Sequence, residues 1–175
     1  LFHHAFKGLC FPVDFAPPPQ MADGGQAALA RMETLLREHR GAYAAIVIEP
    51  LVLGAGGMLM YGPGVLGALR QLADAYDTLL VLDEVLTGFG RTGRMFATEH
   101  TAVGDGAARG APITPDLLCL SKGLTGGYMP LGVTLTTQRI FDAFYIDPNA
   151  GDGANVGKTF FHGHTFTGHP LACQV

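Results

Sequence analysis

Residues 117–137 read "LLCLSKGLTGGYMPLGVTLTT": the apolar residues Leu117–Leu120 run through Ser121 straight into Lys122, and Gly123 follows at once. A short unbroken apolar run bounded by glycine has the pattern of a strand buried in a sheet. Lysine is rarely fully buried and is poor strand material, so its place at the end of such a run calls for a chemical reason. The pattern recurs upstream. "AAIVIEP" (residues 44–50) ends in Glu49 and Pro50, and "TLLVLDE" (78–84) ends in Asp83 and Glu84. "GVTLTT" (132–137) is a fourth strand candidate.

Between these runs the apolar spacing changes to that of helices. Leu29, Met32, Leu35 and Leu36 place an amphipathic helix over residues 26–40, and "GPGVLGALRQLADAY" (62–76) reads as another. Residues 11–25, with "APPPQ" and "DGG", are a loop, because consecutive prolines neither continue a helix nor pair centrally in a sheet. Apolar strands alternating with amphipathic helices predict an α/β fold: a mostly parallel sheet, buried on both faces by flanking helices. Two Gly/Ala-rich stretches, 102–111 and 147–157, read as surface loops.

Composition sets bounds on function. The chain has 175 residues, 48% of them hydrophobic, and a formal net charge of −4. Its pI is near 5.9 and its mean hydropathy +0.26. That is enough chain for one domain with a real core. An acidic balance without a basic cluster excludes nucleic acid and anionic membrane as main partners. No run of about eighteen apolar residues occurs, so no bilayer-spanning helix is expected. Cys10, Cys119 and Cys173 form no CxxC pair and read as reduced thiols. Together with a start that lacks signal-peptide features, this implies a cytoplasmic setting. A chain that opens at Leu1 and stops at Val175, inside an incipient helix, is expected to be a fragment.

In open α/β sheets, ligands sit beyond the carboxyl ends of the strands. Asp83 and Lys122 are therefore placed to face one crevice, although 39 positions (122 − 83) separate them. Two readings are open on spacing alone: a plain ion pair, or a nucleophilic lysine. A partly desolvated lysine has a lowered pKa and can condense with an aldehyde. Pyridoxal phosphate needs such a lysine, and an acid to keep its ring nitrogen protonated. Its phosphate needs hydroxyls, N–H groups and helix N-termini. "HGHTFTGHPLAC" (162–173) offers Thr165 and Thr167 ahead of a helix beginning near Pro170.

"LDEVLTGFGRTGRMFATEH", "PDLLCLSKGLTGGYMPLGVTLTT" and "KTFFHGHTFTGHPLAC" resemble three successive blocks of class III pyridoxal-phosphate aminotransferases. "EPLVLGAGGMLMY" and "LFHHAFKGLCFPV" match in the same order. Within the class the blocks are most similar to the branch that aminates 8-amino-7-oxononanoate in biotin synthesis. The resemblance implies a partial large domain of a fold-type I pyridoxal-phosphate transferase over residues 1–175. The upstream phosphate loop and the C-terminal small domain would be absent. It implies S-adenosylmethionine as amino donor, 7,8-diaminononanoate as product, and a homodimer in the full-length protein. Other class III enzymes, acting on ornithine, 4-aminobutyrate or a similar ω-amine, are the alternative. A further alternative is a catalytically inactive segment, and residues 1–175 alone are expected to bind cofactor weakly and not to turn over.

Carried over residue by residue, Lys122 matches the lysine that holds the cofactor and moves the proton in transamination. Asp83 matches the partner of the ring nitrogen. Thr165 matches the threonine that binds the phosphate of the cofactor held by the other subunit. His164 matches a cofactor-proximal position and Gly163 a substrate-proximal one. Glu49 reads as either a site-lining or a structural charge, and Glu84 as a group that supports the site from behind or as a structural one. Arg91 reads as a residue fixing its loop by an ion pair, rather than as a substrate contact. Leu53 stands where many relatives have Gln, and His169 where they commonly have Asn, so a helix cap or a cofactor contact is at stake there. Gly126 and Gly127 are expected in a tight turn and Cys119 in the core. His162 and His164 complete no metal site, because no Cys or carboxylate cluster joins them.

Overall fold

A computed structural model describes residues 2–102, 112–147, 149, 151, 153 and 157–175. The stretch 103–111 lies outside the described residues, and the 147–157 stretch is described only in part. After a 3-10 segment (Phe2–Leu9), the elements in chain order are α1 (Gln26–Glu38), β1 (Ala45–Ile48), β2 (Val52–Leu53), β3 (Leu59–Met60) and α2 (Gly64–Ala75). There follow β4 (Leu79–Asp83), a 3-10 turn at Ala97–Ala102, β5 (Leu117–Leu120), β6 (Val133–Thr136), α3 (Gln138–Phe144) and α4 (Pro170–Gln174). The expected strands and helices form within a few residues of their sequence limits. The β2–β3 hairpin and α3 were not anticipated.

The main sheet has the order β1-β4-β5-β6. β1, β4 and β5 run parallel and β6 closes one edge antiparallel. This is the mostly parallel sheet with flanking helices that the sequence predicts. β2 and β3 form a separate antiparallel pair.

The core sits between the sheet and α2. Leu66, Leu69 and Ala73 of α2 meet Leu80 and Leu82 of β4 and Ile46 of β1, with Leu36 of α1 behind them. Alternate strand residues point to opposite faces, and α2 covers one face. The other face departs from the expectation of burial on both sides. Val47 of β1 is 67% exposed, Val81 and Cys119 are half-buried, and all four residues of β6 are exposed. Cys119 therefore stands on the less covered face of β5 and not in the core. Among the described residues no helix is long and apolar enough to cross a membrane.

At the amino end of the strands, Asp116 ties four elements together. Its carboxylate accepts the Leu80 N–H at 2.9 Å and the Arg70 guanidinium at 2.7 Å. Arg139 of α3 approaches its other oxygen at 3.5 Å. The Asp116 carbonyl accepts the Thr136 hydroxyl at 3.2 Å. Burial works against the charge, but the Leu80 N–H and the Arg70 guanidinium outweigh it and hold the carboxyl below the usual carboxylate range.

A carboxyl depressed in the folded state stabilises the fold above its unfolded pKa, and that stability is lost as pH falls through the folded value. Asp116→Ala is therefore expected to cost about 2 kcal/mol at neutral pH, the scale of a hydrogen bond to a charged group. The difference from the unmodified chain should shrink once pH drops below about 4. Denaturant unfolding at several pH values measures both. A gap that stays constant down to pH 2 would contradict the assignment.

Candidate active site

The three parallel strands present Glu49, Asp83 and Lys122 at or just past their carboxyl ends. Those three residues line one open cleft of about 380 Å³, walled also by Met58, Val85 and Leu86. A groove of about 400 Å³ between α1 and α2 is lined by Leu29, Ala68 and Leu72, with Glu33 as its one ionisable group. Only the first cleft brings together side chains of opposite charge.

Asp83 is half-buried. One carboxylate oxygen accepts the Val85 N–H at 3.0 Å, which fixes the side chain and leaves the second oxygen uncommitted. Lys122 is exposed and opens a short 3-10 turn, Lys122–Leu124. Its φ is +26°, in the left-handed region that costs a non-glycine residue about 1–2 kcal/mol. The turn is tied on both sides. Ser121 Oγ donates to the Leu131 carbonyl at 2.6 Å, and the Leu124 N–H donates to the Ser121 carbonyl at 2.7 Å. Among the described residues the ion pairs are Arg70–Asp74, Arg70–Asp116 and Arg139–Asp116, and Lys122 enters none of them. The plain Asp83–Lys122 ion pair does not form. The cleft thus holds a free amine and a half-committed carboxylate.

Glu49 has both of its expected characters. It lines the cleft, and its Oε2 accepts the Gly54 N–H at 3.0 Å while its carbonyl accepts the Tyr61 hydroxyl at 2.6 Å. Glu84, one residue after Asp83, points the other way and is fully buried. It accepts the Ala97 N–H at 2.7 Å, the Thr98 N–H at 3.1 Å and the Thr87 hydroxyl at 3.2 Å. A buried carboxylate is tolerated only with such partners, so Glu84 supports the loop that follows β4.

That loop corrects the expectation for Arg91, which is exposed and pairs with no described carboxylate. Glu84 holds the loop instead, aided by the Phe89 N–H donating to the Met95 carbonyl at 2.7 Å. Leu53 packs against the apolar core, so the position carries an apolar contact. His169 keeps a cap in place: its Nδ1 accepts the Ala172 N–H at 3.3 Å at the start of α4. Gly126 and Gly127 have φ of +61° and +85°, as a tight turn requires.

Gly163, His164 and Thr165 lie outside this cleft and are exposed. They belong to a turn closed by the His164 N–H donating to Thr167 Oγ1 at 2.9 Å and the Thr167 N–H donating to the His164 carbonyl at 2.9 Å. The His162 and His164 rings stack with Phe160 and tilt against Phe166 respectively, and no group of three or more metal-ligating side chains converges among the described residues. Sequence reasoning missed Met58 and Leu86 as cleft walls, because their place depends on the β2–β3 hairpin and the post-β4 loop. It also missed Phe89, whose φ of +61° is signalled only by its flanking glycines.

Comparison with known proteins gives the family. The family model of aminotransferase class-III matches residues 2–175. An adenosylmethionine-8-amino-7-oxononanoate aminotransferase of Geobacter sulfurreducens is 45% identical, over 100% of this chain and 37% of its own length. The protein of that name from Nitratidesulfovibrio vulgaris is 44% identical, over 100% of this chain and 31% of its own. The crystal structure of the Methanocaldococcus jannaschii protein of that name superposes with a TM-score of 0.78 at 37% identity, over 98% of this chain and 36% of that one. The chain thus spans about a third of the length of these relatives. The chain belongs to the class-III aminotransferases, a family dependent on pyridoxal phosphate.

Proposed function

We propose that this cleft is the site of a pyridoxal-phosphate-dependent transamination, with Lys122 as the residue that holds the cofactor and Asp83 as the partner of its ring nitrogen. The observation that carries the reading is the unpaired Lys122 amine beside the half-committed Asp83 carboxylate at neighbouring strand ends. The residues present fit the cofactor: an amine is available for an aldehyde, a carboxylate oxygen for a ring N–H, and apolar Val85 and Leu86 for the body of a ring. Bound there, pyridoxal phosphate would supply an aldehyde and an electron-withdrawing ring.

The remaining work falls to the chain's own groups. Lys122 Nζ would hold the cofactor as its nucleophile and would take and return a proton at the reacting carbon. Asp83, fixed by the Val85 N–H, would accept a hydrogen bond from the protonated ring nitrogen and so favour its positive charge. Glu49 holds the cleft wall through Gly54. The exposed turn with Gly163, His164 and Thr165 is read as reaching the site of a second subunit in a homodimer, Thr165 at the phosphate, His164 near the cofactor and Gly163 near the substrate. The names of the relatives favour 8-amino-7-oxononanoate as acceptor and adenosylmethionine as donor, and the resemblance of the motif blocks supports biotin biosynthesis as the setting. In the protein as a whole, residues 1–175 would be part of the cofactor-binding large domain, in the cytoplasm.

Borohydride treatment with pyridoxal phosphate, followed by peptide mapping, is expected to label Lys122 and to leave no label at this peptide in Lys122→Ala. Turnover should fall by at least about 10²-fold in that variant, the lower range for a lost proton-transfer group. A label that persists in Lys122→Ala would sink the assignment. Asp83→Asn keeps the shape and the Val85 contact, yet should lower turnover by about 10²–10³-fold, the scale of one lost fixed electrostatic partner. A donor screen separates the acceptor and donor named above from other ω-amines. Turnover with ornithine or 4-aminobutyrate, and none with S-adenosylmethionine, would reassign the substrate and leave Lys122 in place.

A further inference from the structure

Among the described residues Glu84 has no cation beside it: its partners are two backbone N–H groups and one hydroxyl, all on the segment between β4 and the end of the 97–102 turn. Two buried oxygens thereby hold the two ends of the loop that leaves β4. The loop's middle is set by Phe89, whose N–H, with that of Gly90, donates to the Met95 carbonyl at 2.7 and 3.3 Å, and whose ring meets Phe96 edge-on at 5.8 Å. Phe89 in turn lies directly against Gly123. A Cβ added at Gly123 would come within 2.9 Å of Phe89 Cβ and 3.2 Å of its ring, so the Phe89 side chain packs on the backbone that follows Lys122. Lys122 itself is held at φ +26°, a conformation that persists only when its surroundings over-determine it.

We propose that Glu84 is a positioning residue for Lys122, acting through Phe89 on Gly123. The proposal rests on the reading of Lys122 as the cofactor-holding lysine. Asp83 and Glu84, adjacent in sequence, then serve one site from opposite faces of β4. Asp83 meets the cleft directly, and Glu84 stiffens the loop that braces the lysine's turn. A group confined to supporting its own loop would affect only the Ala97 and Thr98 amides. A positioning group must also affect the Lys122 turn, whose own hydrogen bonds are Leu124 N–H to Ser121 carbonyl and Gly126 N–H to Gly123 carbonyl.

Amide hydrogen exchange on the full chain without cofactor reads this difference. Glu84→Gln keeps the volume but sets an amide against the N–H donors. It is expected to speed exchange at Ala97 and Thr98, and also at Leu124 and Gly126, on the order of tenfold, as the loss of a charge-assisted hydrogen bond does to a local opening. Phe89→Ala leaves the Glu84 bonds intact and should speed Leu124 and Gly126 alone. Both variants should reduce the borohydride-trapped pyridoxal phosphate label on Lys122. Unchanged exchange at Leu124 and Gly126 in folded Glu84→Gln overturns the proposal, and so does unchanged exchange there in Phe89→Ala. If Glu84→Gln does not fold, the Phe89→Ala result decides by itself. Absence of label on Lys122 in the unmodified protein would instead strike the Lys122 reading, and the exchange result would stand apart from it.

Discussion

β4 is hydrogen-bonded on both sides, to β1 along Ala45–Ile48 and to β5 along Leu117–Cys119, and the cleft follows from that pairing. Parallel neighbours must end at the same edge of the sheet, so the residues that close three separate apolar runs are brought to one place. The register sets Asp83 opposite Cys119, which leaves Lys122 three residues beyond that level on the adjacent strand. A slip of one residue would turn Asp83 toward the core and Glu84 toward the cleft. The apolar face of Leu80 and Leu82 against α2 forbids that slip, because it would expose two fully buried leucines and bury the half-exposed Val81.

The two successive acids show how little side-chain chemistry alone says about role. Asp83 and Glu84 are both carboxylates, on residues joined by a single peptide bond. The period of the strand sends one to an open cleft and the other into the interior. Inside, an uncompensated carboxylate would cost several kcal/mol, and Glu84 escapes that penalty by accepting from Ala97, Thr98 and Thr87. In the cleft, Asp83 spends one oxygen on its own turn and keeps the other available. The amino end of the sheet is organised differently. There Asp116 and Arg70 form an ion pair with several hydrogen bonds around it, a joint between elements.

Much of this was legible in the chain. The apolar runs before Glu49, Asp83 and Lys122 specify strands, the spacing of Leu29, Met32, Leu35 and Leu36 specifies α1, and the "LSKG" and "LDE" endings mark the charged strand ends. Other features were not legible, for physical reasons. Burial of both sheet faces was inferred from continuous apolarity, yet Val47 is exposed, because apolar residues state what a strand tolerates and not which helix lies over it. Arg91 was read as an ion-pairing residue because charge is visible in sequence, whereas the bonds that hold its loop are backbone amides on Glu84 and on the Met95 carbonyl. His169 was read as a departure that puts a helix cap in question, but its ring nitrogen accepts the same kind of bond from Ala172.

The sequence by itself determined the alternation of strands and helices, the charged residues at the strand ends and the family the motifs belong to, because periodicity and local composition are written along the chain. Tertiary structure alone decided that Lys122 pairs with no described carboxylate and is backed by Phe89 at Gly123, that Glu84 faces inward, and that Met58 and Leu86 wall the cleft. Those facts depend on register, on the path of loops and on contacts between residues tens of positions apart. No local pattern encodes them.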